Sequence, residues 1–157
     1  LSVTPPDAAR VFKSGDTSRR YLASVRTDGA GSPWPFRRTP SGTHRWSRTA
    51  MAAWDTEVLA AGVAAAWADV SLAALVPPHA RLATVRAMLG APVAGGNLDL
   101  RTKGTTGSSL NLYAPATAAG TFVREELGLE TDSTQQVQYQ VSGGGETAPL
   151  HVVGWQE

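Results

Sequence analysis

Two apolar runs broken by a pair of prolines set the firmest limit on how this chain can fold. The stretch reads Trp67-Ala-Asp-Val70-Ser-Leu72-Ala-Ala-Leu75-Val76-Pro77-Pro78-His-Ala-Arg81-Leu82-Ala-Thr-Val85-Arg-Ala-Met88-Leu89. Proline fixes φ, lacks a backbone donor and pushes the residue before it out of the α region, so no smooth helix runs through Val76-Pro77-Pro78. Past the break, Ala83, Val85, Ala87 and Leu89 recur at period two, with Thr84 and Arg86 on the opposite face. The predicted order is strand, tight corner, central strand.

Residues 50–75 pull the other way. They are rich in alanine, the best helix former, and Leu59, Val63, Ala66 and Val70 fall at helical spacing. Gly62 costs a helix about 1 kcal/mol relative to Ala. Pro78 suits the first turn of a second helix through Leu89. Propensity alone leaves helix and strand both open here, residues 47–66 above all.

The chain downstream decides for strands. Leu98 and Leu100 share one face, with Asp99 and Arg101 opposite. Lys103-Gly104-Thr-Thr-Gly107 is a turn, and Leu110 and Leu112 supply the hairpin partner. Phe122-Val123 and Leu127-Gly-Leu129 add apolar residues. Val137, Tyr139 and Val141 point one way, and Gln136, Gln138 and Gln140 the other. After the turn Gly143-Gly144-Gly145, Leu150 to Trp155 forms a last strand. Six to eight short strands, spaced about ten residues apart, predict an all-β antiparallel β-sandwich of jelly-roll type.

Upstream, residues 1–18 carry turn and loop signals, Tyr21 to Arg26 reads as a short strand, and residues 28–42 read as loop. Thr43 to Ser47 is a further candidate strand. The expected division is therefore an extended arm over residues 1–54 and a sandwich over residues 55–157. The charge is split the same way. Nine Lys and Arg against three Asp make the arm +6, and five against ten Asp and Glu make the body −5, for a net +1. A basic arm lying against an acidic body, its own or a neighbour's, follows from that asymmetry. Trp34, Phe36 and Trp46, interleaved with Arg37, Arg38 and Arg45, are the residue types of interface anchors, and they are the expected subunit or partner contact. The alternative is that they pack onto the sandwich as a lid. A homo-oligomer held partly by the arm is expected.

Composition excludes several classes. Charged residues are only 17% of the 157, while 16 Gly and 10 Pro suit a turn-rich β fold. With no cysteine there is no disulfide frame or thiolate metal site. The longest apolar run, Val63 to Ala68, is too short for a membrane span, so no insertion is expected. The arginines are dispersed and carry no nucleic-acid motif. The chain opens on Leu1 and not on Met, which reads as processing or, the expectation preferred, as the C-terminal part of something longer.

A search for chemistry finds no constellation, so no enzyme and no cofactor are expected. There is no Gly-x-Ser-x-Gly elbow and no phosphate loop. His44, His79 and His151 lack metal-ligand spacing. Glu125, Glu126, Glu130 and Asp132 form an acidic patch, readable as a glycosidase carboxylate pair or, with Asp99, as a calcium site, though without EF-hand spacing. A solvated loop is the simpler reading.

The order of segments carries a resemblance. Tyr21-Leu22-Ala-Ser-Val25, then Trp67 to Leu82 around its prolines, then Val137-Gln-Tyr139, then Val152-Val153-Gly154-Trp155 looks like the C-terminal β-sandwich regions of tailed-bacteriophage virion proteins of the tail-fibre, head-fibre and spike kind. The Ala-rich residues 47–66 have no counterpart in it. The resemblance implies a non-enzymatic structural or adhesion component of a virion, assembled as a homotrimer with other virion proteins and in contact with host-surface glycan. The alternative reading is a secreted carbohydrate-binding module, with Trp34 and Trp46 as sugar platforms. A glycan-processing enzyme using the acidic patch stands third.

Overall fold

A computed structural model of the chain describes residues 12–13, 16–20, 34, 36–47, 56–91, 95–107, 109–114, 121–142 and 145–157. In chain order the strands are β1 (Phe12–Lys13), β2 (Asp16–Arg20), β3 (Phe36–Arg38), β4 (Thr43–Trp46), β5 (Glu57–Gly62) and β6 (Ala68–Ser71). They are followed by β7 (Leu82–Ala91), β8 (Asn97–Thr102), β9 (Leu110–Tyr113), β10 (Thr121–Glu130), β11 (Gln136–Val141) and β12 (Ala148–Gln156). No described residue is helical.

Ten of these strands build two antiparallel sheets packed face to face, as a β-sandwich. The larger sheet runs β10-β7-β12-β4-β3, with β5 beside the first half of β12 and β4 beside its second half. The smaller runs β6-β11-β8-β9. β1 and β2 pair only with each other.

Period-two alternation makes the core. Ala83, Val85, Ala87 and Leu89 of β7 have no exposed surface. They face Leu98 and Leu100 of β8 and Val137, Tyr139 and Val141 of β11, all buried in the same cluster. The Pro77-Pro78 segment is the corner that carries the chain from the smaller sheet to the larger. Its backbone groups are satisfied within the turn, Val76 N–H donating to Leu72 O at 2.9 Å and Ala80 N–H to Pro77 O at 3.0 Å. Leu72, Leu75 and Val76 fill the space beneath it.

Residues 57–62, left open between helix and strand by propensity, form a strand, with Leu59 opposite Leu150 of β12. Val63, which helical spacing would place on an apolar stripe, is instead 62% exposed. Residues 16–20, read largely as loop, pair with Phe12–Lys13. β4 matches the candidate strand Thr43 to Ser47, whereas β3 falls in residues 28–42, read as loop; both extend the larger sheet because their aromatic side chains bury against β12. The expected boundary at 54/55 and the expected strand Tyr21 to Arg26 lie outside the described residues.

Candidate functional site

The β3–β4 hairpin turns through Thr39-Pro40-Ser41-Gly42. Gly42 takes φ +83°, a region open to glycine, and Thr39 and Thr43 close the turn with a 2.8 Å backbone hydrogen bond. The register Phe36↔Trp46, Arg37↔Arg45 and Arg38↔His44 sorts the side chains by face. His44 lies opposite Trp155 in β12 and stacks on it, with ring centroids 5.1 Å apart at 12°. Trp46 meets Trp155 at 4.7 Å, Phe36 meets it at 5.4 Å, and Trp34 packs edge-on against Trp46 at 5.8 Å. Trp46 is only 5% exposed.

The six residues expected at a partner contact are thus divided. Trp46 is a core residue of its own chain and offers neither an anchor nor a sugar platform. Trp34 and Phe36 are half-buried against it, closer to a lid than to a free arm. Arg37 and Arg38 are exposed. Arg45 points to the outer face and binds Glu126 of β10, its Nη2 donating to Oε2 at 2.5 Å. Arg86 of β7 donates to the other oxygen of the same carboxylate at 2.5 Å. A contact between the basic N-terminal stretch and the acidic body therefore exists within one chain. Burial by itself would raise the Glu126 pKa, but the two guanidinium hydrogen bonds outweigh it and hold the carboxyl below its usual value.

Of the other acidic-patch residues, Asp132 is committed locally. Asp132 accepts from the backbone N–H of Thr134 and of Gln136 and from the Thr134 hydroxyl. It thereby shapes the turn that sets Gln135 at φ +51°. Neighbouring Glu125 and Glu126 point to opposite faces of β10, as strand geometry requires. His79 approaches Glu157 at 3.2 Å and His151 approaches Glu57 at 3.8 Å. Among the described residues, no three His, Asp or Glu converge as a metal site.

These groups predict how stability depends on pH. Burial, the largest effect, lowers the His44 pKa from 6.5, with Arg38 and His79 acting the same way and Glu157 against them. The unfolded chain therefore protonates His44 first, so this contribution is complete above pH 6.5 and is lost as pH falls below it. Asp69, Glu126 and Asp132 have lowered pKa values, so their contribution is present above the unfolded carboxylate range and is lost as pH falls through the folded values. The urea midpoint is expected to fall between about pH 7 and pH 5.5. His44→Phe, which keeps a ring on Trp155 without titrating, should flatten that part of the profile. An unchanged slope in the variant would show that His44 plays no part.

The outer face of the smaller sheet carries a second, more open arrangement. Asp69, Gln138 and Arg101 lie side by side on β6, β11 and β8. Gln138 Nε2 donates to Asp69 Oδ1 at 2.8 Å, and Arg101 Nε donates to Gln138 Oε1 at 2.9 Å. The Arg101 guanidinium lies 3.8 Å from the Trp67 ring centroid. Lys103 pairs with Asp69 at 2.6 Å and donates to Gln136. Its hydrogen bond, followed by that from Gln138, holds the Asp69 carboxyl below its usual range. One row along, Asp99 Oδ1 accepts from Asn111 Nδ2 at 2.9 Å, and Gln140 lies beside it across the β8–β11 pair. Tyr113, 51% exposed, follows Asn111 by two residues on β9. Alternation in β8 and β11 already marked Gln136, Gln138, Gln140, Asp99 and Arg101 as outward. Nothing local tied them to Asp69, Trp67 or Asn111, because the strand order β6-β11-β8-β9 is not written in any one segment.

No protein-family model matches the chain, and no curated protein is significantly similar to it.

Proposed function

We propose that the protein is a non-catalytic adhesion module that binds glycan on the outer face of its four-stranded sheet. One observation carries the reading: an array of amide, carboxylate and guanidinium groups on the outer face, running from the half-buried Trp67 and Arg101 through Gln140 and Asp99 to the exposed Asn111 and Tyr113. Planar side chains fixed by each other's hydrogen bonds present donors and acceptors at set angles, and pairs of sugar hydroxyls match them at little ordering cost. Aromatic rings offer apolar faces to the C–H faces of a pyranose. Three strand spacings of about 4.8 Å separate the β6 and β9 ends of the array, about 14 Å in all. That length suits a short oligosaccharide rather than a single ring.

The setting we propose is a bacteriophage or phage-like particle, with the module in a fibre, spike or decoration protein that meets the host surface. Its support is the resemblance in segment order. A secreted carbohydrate-binding module would use the same face.

Glycan-array binding by the intact chain tests the chemistry. Asp99→Ala and Arg101→Ala should each weaken binding by about tenfold or more, the effect of losing one charge-assisted hydrogen bond. Trp34→Ala should leave it unchanged. An array with no binding, or binding indifferent to Asp99 and Arg101, would reject the proposal.

A further inference from the structure

β10 is a ten-residue strand at the end of the larger sheet, and among the described residues no strand pairs with its outer edge, where the Thr102 hydroxyl donates to Glu130 O at 2.8 Å. Gly90 of β7 exchanges both backbone hydrogen bonds with Thr147, at 2.8 and 2.9 Å on the side away from β10. Odd-numbered residues of β7 therefore turn their N–H and C=O groups towards β10, and so do the odd-numbered β10 residues opposite them. The even-numbered residues Phe122, Arg124, Glu126 and Gly128 are left with theirs at the open edge.

The same four residues share the outer face, and their order is self-complementary. Two antiparallel registers about a twofold axis would pair nine of the ten β10 residues with a second copy. The register centred on Glu126 sets that carboxylate against itself and Phe122 against Glu130. The register centred on Glu125 sets Arg124 against the second copy's Glu126, whose carboxylate also holds Arg45 and Arg86 of its own chain, and Val123 against its Leu127. It also sets Phe122, 71% exposed, over Gly128. Gly128 has no side chain to block the ring, and the Leu82 side chain lies 3.2 Å from where a Cβ would stand, so the ring meets an apolar neighbour. Within its own chain Phe122 already lies across another glycine, Gly90.

We propose that the protein self-associates through this edge, β10 pairing antiparallel with β10 of a second copy about an axis at Glu125. The inference rests on the fold and not on the glycan reading. It defines a twofold contact, separate from the threefold assembly that the resemblance implies. Glu125 meets its own copy at the axis, and a charge at that point on an edge strand limits further pairing. The association is accordingly reversible at neutral pH.

The chain has no cysteine, so single cysteines report the register directly. At an axis on a non-hydrogen-bonded pair the two Cα atoms are about 4.5 Å apart, within disulfide range. E125C should therefore oxidise to a covalent dimer at least about tenfold faster than E130C, whose copies would be separated by about 34 Å. Adding Arg124→Glu, which faces the second copy's Glu126, should slow the E125C linkage by about tenfold. The unmodified chain should sediment as a monomer–dimer equilibrium at about 100 μM. E125C linking no faster than E130C, a rate indifferent to Arg124→Glu, or a strict monomer at that concentration would each overturn the proposal.

Discussion

Replacing Gly154 by alanine should destabilise the protein by about 3 kcal/mol or more, at the upper end of overpacking costs. Gly154 lies in β12 between Arg45 of β4 and Thr84 of β7. A Cβ there would stand 2.2 Å from the His44 carbonyl oxygen and 3.2 Å from the Arg45 Cα. Both are backbone atoms, so no rotamer change relieves the clash. β4 would have to withdraw from β12, taking His44 and Trp46 away from Trp155. For a chain of this size the expected fall in Tm is about 6–12 °C. Gly107→Ala is the control, with nothing within 4 Å of its Cβ, and should stay within about 0.5 kcal/mol of the native chain. Equal melting of Gly154→Ala and the native protein would mean that β4 does not lie against β12 as described.

Trp155→Ala should cost about 3–5 kcal/mol, the range for emptying a large aromatic site in a core. Trp155 is 1% exposed and touches His44, Trp46 and Phe36 at once. It joins the hairpin's aromatic rings to the sandwich. Chemical denaturation followed by far-UV circular dichroism measures the loss. The double variant with Trp46→Ala then separates burial from ring contact. A coupling of about 0.5–1.5 kcal/mol is expected for the pair. A loss below about 1 kcal/mol for Trp155→Ala would place the ring outside the core.

The two variants bear on the same functional point. The aromatic hairpin fastens β3 and β4 to the sheet, and the two binding proposals rest on surfaces away from it, the outer polar face of the smaller sheet and the β10 edge. The binding readings drawn above depend on the fold at different places. Weakened glycan binding by Arg101→Ala does not involve β10, and cysteine linkage at residue 125 does not involve β6 or β9. Each can fail without the other.

The alternation in β7, β8 and β11 was legible in the sequence because side-chain direction in a strand follows from local backbone geometry. A period of two in Ala83 to Leu89 or Val137 to Val141 names the buried face without knowledge of any neighbour. The corner at Pro77-Pro78 was legible for the same reason, since proline acts on its own residue and the one before. Which strands lie side by side was not. Arg45 finds Glu126 across 81 positions, and Gln138 finds Asp69 across 69. Trp46 reads as an exposed anchor until Trp155 covers it, and the helix-favouring residues 57–62 become a strand only because β12 has an edge to fill. Local geometry sets where each side chain points along its own strand. The partner across the sheet is set by which edges the whole chain can bring together at the least loss of loop entropy and the greatest apolar burial.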